Sequence, residues 1–171
     1  TLIVSSHSWL AQQQIWTWLQ AKQINVFVFL HDLIPIQFPE YSAPGEKLIH
    51  EHRVNHTLRH SRGIIVNSNC TASAVNEHAK LSGIPPPPIL VAPLGNHTTP
   101  PAVIRQETHP FFVTLGTIEP RKNHLLLLTL WRELAKRLGP STPKLYIVGR
   151  RGWECEQVVD LLERCESVRP Y

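Results

Sequence analysis

Short runs of β-branched and aromatic residues recur along the chain and alternate with stretches whose apolar residues return every three or four positions. Leu2 to Ser5, Val26 to Leu30, Gly63 to Asn67, Ile89 to Ala92, Phe111 to Leu115 and Leu145 to Val148 read as strands. The clearest helix is His124 to Leu138, where Leu127, Trp131, Leu134 and Leu138 form a stripe that Leu130 widens, and Gly139-Pro140 marks its end. A second runs from about Trp153 to Cys165, with Val158, Leu161, Leu162 and Cys165 on one face, and a third from Gly45 to about His60. Strands and helices in this alternation predict βα units, a mostly parallel sheet and an α/β fold.

Periodicity fails between Pro93 and Pro110, where Pro93-Leu94-Gly95-Asn96-His97-Thr98-Thr99-Pro100-Pro101 is rich in turn formers. This predicts one domain over 1–94, a linker over 95–110 and a second domain over 111–171. The proline run Pro85 to Pro88 stands between a helix and a strand and reads as a stiff connector. Both halves reuse the βα unit, without a repeat of fixed period.

Composition narrows the class. With 42% hydrophobic and 18% charged residues the chain is of globular type. No apolar run approaches the ~18 residues needed to cross a bilayer, and no charged segment precedes an apolar one at the start. The 171 residues include no methionine and open inside a strand, so a processed or partial chain is expected. Cys70, Cys155 and Cys165 are odd in number and lack a C-x-x-C pair, which suits reduced thiols in the cytoplasm. The net charge of +4 is scattered except at Arg121-Lys122 and Arg150-Arg151. Without a basic stripe interleaved with aromatics nothing prompts a nucleic-acid partner, while anionic small molecules or peripheral contact with an acidic membrane surface stay open.

The sharpest local feature is Phe111-Phe112-Val113-Thr114-Leu115-Gly116-Thr117-Ile118-Glu119-Pro120-Arg121-Lys122-Asn123-His124. An apolar strand ends at a glycine, and a short loop delivers two cations to the start of a strong helix. Helix N-termini present unsatisfied N–H groups, so the place suits an anion. Arg121 offers a forked donor and Lys122 a mobile point charge, a pair better matched to a diphosphate than to a carboxylate. Cations in a first helical turn oppose the dipole, which argues for another use of their charge.

His31-Asp32 stands at another strand end, where ligands of open α/β sheets bind, though a loop cap and a turn hydrogen bond would explain the pair as well. His50, His52, His56 and His60 share a predicted helix, the last three on one stripe at four-residue steps. A polar helix face is the better reading, since the spacing lacks a carboxylate or cysteine ligand and does not make H-E-x-x-H. Ser68 has no G-x-S-x-G around it, which disfavours a hydrolase.

The run Leu115 to His124, followed after a helix by Leu145-Tyr146-Ile147-Val148-Gly149-Arg150-Arg151-Gly152-Trp153, resembles glycosyltransferase family 4, retaining enzymes of the GT-B fold. His31-Asp32-Leu33-Ile34-Pro35, Ile65-Val66-Asn67-Ser68 and Ala92-Pro93-Leu94-Gly95 extend the resemblance over nearly the whole chain. It implies two Rossmann-like parallel-sheet domains facing each other across a cleft, both incomplete here, with a nucleotide-sugar donor held mainly by the second. In that pattern Arg121 and Lys122 match the pair that grips the donor diphosphate and steadies the leaving group. Gly116 and Thr117 match the loop that lets the backbone approach the donor, and Gly149 the strand-end glycine beside the nucleotide. His31 matches a residue touching the transferred sugar, and Asp32 falls on the acceptor side.

The implied activity is transfer of a hexosyl group, such as mannosyl, to a glycan or lipid-linked acceptor with retention. Two cations and a helix terminus can do the work of a divalent metal, so neither metal nor other cofactor is expected. The family's E-x7-E pair does not occur: eight residues beyond Glu154, Glu156 and Glu163 lie Leu162, Arg164 and Tyr171. The chain by itself is therefore expected to have little transferase activity. The alternative is an inactive remnant that binds a nucleotide diphosphate or a partner subunit through the same two cations.

Overall fold

Among the described residues six strands run parallel to their neighbours in two separate sheets. The computed structural model describes residues 1–95 and 109–171, and it falls into two units, Thr1–Thr98 and Thr99–Tyr171. The predicted linker over 95–110 lies outside the described residues except at its ends.

In the first unit the strands β1 (Leu2–Val4), β2 (Val26–Leu30), β3 (Gly63–Val66) and β4 (Ile89–Val91) lie side by side in sequence order. Their register pairs Val4 with Val28, Val28 with Ile64, and Ile64 with Ile89. The connections carry α1 (Gln13–Ala21), the short α2 (Ile34–Gln37), α3 (Glu46–His60) and α4 (Asn69–Ser82). Parallel strands added one after another in one direction, each through a right-handed crossover, place every connecting helix on the same side of the sheet. That side is the core: Val4, Val26, Val28, Leu30, Ile64 and Val66 meet Trp16, Leu19, Val54, Leu58, Val75 and Ala79. The indole of Trp16 is fully buried and donates to Leu10 O at 2.8 Å, so its one polar atom is satisfied. Along the other side Ile3 and Leu90 are exposed, while Phe27, Phe29 and Ile65 are half-buried.

In the second unit β5 (Phe111–Leu115) pairs with β6 (Lys144–Val148), joined through α5 (His124–Leu138) and followed by α6 (Glu156–Arg164). Phe112 meets Trp131 edge-on at 5.4 Å, and Leu128, Trp131, Leu145, Ile147 and Leu162 line one hollow between sheet and helices. The opposite face presents Phe111, Val113, Leu115, Tyr146 and Val148, all exposed. The predicted strands appear within a residue of their expected ends. The last helix starts at Glu156, not Trp153, because Glu154 takes a positive φ of 44° just ahead of it.

The helix ends follow local chemistry. Ser68 caps α4 by accepting from Thr71 N–H, and Gly83 closes it in the left-handed conformation. Asn123, itself left-handed, caps α5 by accepting from Leu126 N–H at 3.4 Å. Pro85 to Pro88 form the unstructured connector between α4 and β4.

Candidate functional site

The predicted residues fall at the carboxyl ends of parallel strands in both units. Gly116, Thr117, Arg121, Lys122 and Gly149 lie in the second, and His31 and Asp32 in the first.

In the second unit the ladder between β5 and β6 continues beyond the strands. Gly116 N–H donates to Val148 O at 2.9 Å, Ile118 N–H to Arg150 O at 2.9 Å, and Gly152 N–H to Ile118 O at 2.9 Å. A Cβ on Gly149 would stand 1.9 Å from Gly116 O, so only glycine lets the two loops meet backbone to backbone. Gly149 thus has a packing role that the resemblance did not supply. Thr117 lies over Gly152, its Cγ2 2.7 Å from where a Cβ would be.

Arg121 and Lys122 do not sit in the first turn of α5. They form a tight 3-10 turn, Pro120–Lys122, ahead of the capping Asn123. The left-handed Asn123 turns the chain between cations and helix, so the opposition to the helix dipole argued from sequence is relieved by one residue. Arg121 Nη2 donates to Glu119 Oε1 at 2.6 Å, an exposed pair that fixes the fork more than it stabilises the fold. Lys122 doubles back over the end of β5: a Cβ on Gly116, whose φ is +146°, would lie 3.5 Å from Lys122 Cε and 3.9 Å from Nζ.

Beside this loop is a hollow of ≈ 400 Å³ lined by Glu119, Asn123, His124, Glu154, Glu156 and Gln157, among others. His124, the first residue of α5, is 2% exposed, and neither ring nitrogen has a hydrogen-bond partner. Burial lowers its pKa, and the Lys122 charge adds to the effect against a smaller opposing one from Glu119. A neutral imidazole keeps the neighbourhood of Lys122 free of a further cation. The sequence motif included His124 without marking it as buried, although its spacing of four and seven residues to Leu128 and Trp131, the buried apolar residues of α5, was a signal that could have placed it inside.

In the first unit His31 follows β2 directly, and its Nε2 is 3.3 Å from Ser5 O. Asp32 Oδ1 accepts from Ile34 N–H at 3.1 Å, the turn bond considered from sequence, so one carboxylate oxygen is committed to the backbone. Two histidines join His31 there. His7, on the loop after β1, has its ring centroid 5.4 Å from that of His31 and 5.6 Å from that of His50 on α3. His7 Nε2 is 3.1 Å from Phe29 O, and His50 Nε2 is 3.1 Å from Asp32 O. Burial lowers the pKa of both, partly offset by the carbonyl each ring bonds; around His7 the other imidazoles and Arg53 add to the lowering, whereas at His50 the Asp32 charge also opposes it.

His50 is thereby separated from the other histidines of its helix. It is buried on the core side with Val54 and Leu58, whereas His52, His56 and His60 stack along another stripe at centroid spacings of 6.5 and 5.7 Å, running from exposed His52 to half-buried His60, which packs on Trp16 at 5.7 Å and meets Gln20. Among the described residues no three His, Cys, Asp or Glu side chains are grouped so as to hold a metal ion. His7 was absent from the sequence prediction, although the rule that selected His31 applies to it equally, since both follow a strand's carboxyl end. The three thiols Cys70, Cys155 and Cys165 are free. No helix among the described residues is long and apolar enough to cross a membrane. The chain matches no model of a known protein family, and no curated protein matches its sequence.

Proposed function

We propose that the chain is part of a retaining family 4 glycosyltransferase of the GT-B fold. It would move a hexosyl group, such as mannosyl, from a nucleotide-diphosphate sugar to a glycan or lipid-linked acceptor. The observation that carries this reading is Lys122 folded over Gly116 at the end of β5, with Arg121 beside it on the same turn.

Glycosyl transfer from such a donor builds negative charge on the departing diphosphate while the sugar becomes oxocarbenium-like. Preorganised cations aimed at the departing oxygens stabilise that state more than the ground state. Lys122 supplies a charge already held at the strand end. Arg121 supplies a planar fork whose orientation Glu119 sets, with further N–H groups left for phosphate oxygens. Gly116 and Gly149 keep the backbone low where the donor would lie, and Thr117 flanks them. His31 takes the position beside the transferred sugar, and Asp32 the acceptor side, with its one turn-bonded oxygen holding the carboxylate in place.

With two cations on the leaving group, the reading needs neither a metal nor another cofactor. It places the protein in the cytoplasm, with peripheral contact at the inner membrane face where a lipid-linked acceptor would be met, and gives it no nucleic-acid partner. The test is calorimetry with a set of nucleoside diphosphates. Combined Arg121→Ala and Lys122→Ala substitution is expected to weaken the best binder at least tenfold, about 1.4 kcal/mol. Equal affinity in the variant would remove the diphosphate site and the transfer reading with it.

A further inference from the structure

The three imidazoles at the strand ends of the first unit form a unit of their own. His7 belongs to the loop between β1 and α1, His31 to the end of β2, and His50 to α3. Each has its Nε2 against a carbonyl of a different segment: His7 on Phe29 O, His31 on Ser5 O, and His50 on Asp32 O. A carbonyl can only accept, so each Nε2 carries a proton, and a neutral ring then has Nδ1 bare. The bonds of His7 and His31 are reciprocal, tying the loop to β2 and β2 back to the residue that opens the loop.

We propose that this cluster is a proton-sensitive latch, which holds the β1–α1 loop and His31 at the end of β2 while its rings are neutral and releases them when a second ring becomes charged. The central ring, His7, stands less than 6 Å from both others, so any two charges in the cluster involve adjacent or nearly adjacent rings. The surrounding groups are unequal in their help. Arg53 on α3 adds a positive charge that disfavours protonation of both His7 and His50. Asp32 and Glu46 favour a charge on His50, while Arg53 and Glu46 are already paired with each other. On α4, His78 brings a further imidazole toward His50, and Glu51 on α3 favours a charge on His78. One proton therefore has a place near Asp32 and His31 is open to water, so the charge that strains the cluster is a second one on His7, 5.6 Å from His50 and on the side of Arg53. Swinging out would bring half-buried His7 fully into water, and it would take the loop with it.

The loop contains its own reporter. Trp9 rests against Trp16 with ring centroids 5.4 Å apart. In the whole chain, the indole signal of Trp9 and the backbone amides of residues 7–12 should shift together between pH 7.5 and 5, with a steepness beyond one proton. The amides of Leu19 and Val75 in the core, and the indole of Trp131 in the other unit, should hold their positions over the same range. His50→Gln keeps a donor for Asp32 O but cannot be charged; it should move the loop midpoint down by about half a pH unit or more. His7→Gln should abolish the transition, and His52→Gln, at an exposed position of the same helix as His50, should leave it in place. Midpoints unchanged in both His50→Gln and His7→Gln would overturn the latch. So would core amides melting at the same pH as the loop, which would mark general acid unfolding. The proposal is independent of the diphosphate site: loss of nucleotide binding in the second unit leaves it standing, and a pH-insensitive loop leaves the transfer reading standing.

Discussion

The two units are built by one rule and reach different degrees of enclosure. In both, consecutive parallel strands are joined by crossovers that put the helices on one side of the sheet. In the first unit four strands and three long helices surround Trp16, Leu30, Val54, Val66 and Val75, each essentially removed from water. In the second, the two strands and two α-helices of the described residues bury Leu128, Trp131 and Ile118, together with Cys155 and Val168, and leave Phe111, Val113, Leu115, Tyr146 and Val148 exposed along one sheet face. The candidate chemistry divides differently. The better-enclosed unit holds a cluster of histidines whose state depends on burial, and the more open one holds exposed cations. Burial tunes a titratable group, whereas a diphosphate grip needs charge that stays hydrated until a ligand arrives.

The largest expected effect tests whether enclosure converts to stability. Trp16→Ala removes a fully buried indole and its hydrogen bond to Leu10 O, and should cost the first unit about 3–5 kcal/mol. Urea unfolding followed through resolved signals of each unit should show the first melting far earlier and the second unchanged. A loss below about 1 kcal/mol would mean that the first unit's core is no tighter than the second's.

Next is Gly149→Ala, which attacks the second unit where its two loops touch. The new methyl group would meet Gly116 O at 1.9 Å, a backbone atom that can yield only by breaking the extended ladder. A cost of about 1–3 kcal/mol is expected, confined to the second unit, with nucleotide affinity falling alongside it. Full stability in the variant would show that the strand ends can separate without loss and that Gly149 has no packing role.

Acid should separate the units by slope. His7, His50, His56, His60 and His78 in the first unit all have pKa values lowered from 6.5 by burial, against His124 alone in the second among the described residues. For a histidine with a lowered native pKa, the unfolded chain binds more protons just below pH 6.5. Its contribution to stability is therefore complete above that pH and is lost as pH falls toward the native value. Urea midpoints measured from pH 7.5 to 5 should decline in both units and more steeply in the first. Equal slopes would indicate that the first unit's histidines gain no net burial on folding.

How far the sequence reveals all this depends on whether a feature is local. The strands were legible because runs such as Val26 to Leu30 are short, β-branched and bounded by turn formers, and α5 because its apolar residues keep a helical period, although Leu130 and Leu138 of the predicted stripe are exposed and Leu128 beside it is buried. Gly116, Arg121 and Lys122 could be placed at a strand end for the same reason. The pairing of Arg121 with Glu119 was hidden in a turn geometry that residue types alone do not specify. The histidine cluster was hidden more deeply, since His7, His31 and His50 come from three segments and meet only when β1 and β2 pair and α3 packs above them. The four-residue spacing of His52, His56 and His60 drew attention to that stripe instead, while His50 lies on the same helix and faces inward.

The smallest expected effect concerns the exposed sheet faces. Leu115 is 78% exposed on β5 and Leu90 is 61% exposed on β4, while Leu30 on β2 has no exposure at all. Threonine keeps the strand preference of a β-branched residue and removes apolar area, so Leu115→Thr and Leu90→Thr should each change stability by no more than about 0.5 kcal/mol. The same exchange at Leu30 should cost several times more, because a hydroxyl would enter a dry core without a partner. The exposed positions should also differ from Leu30 in solubility: fewer apolar groups on an open face give a strand less reason to adhere to another molecule. Titration of each variant with urea, alongside the concentration at which it begins to associate, measures both at once. If Leu115→Thr costs as much as Leu30→Thr, the face of β5 and β6 is covered in solution, and the contrast between an enclosed unit and an open one fails at its most exposed residue.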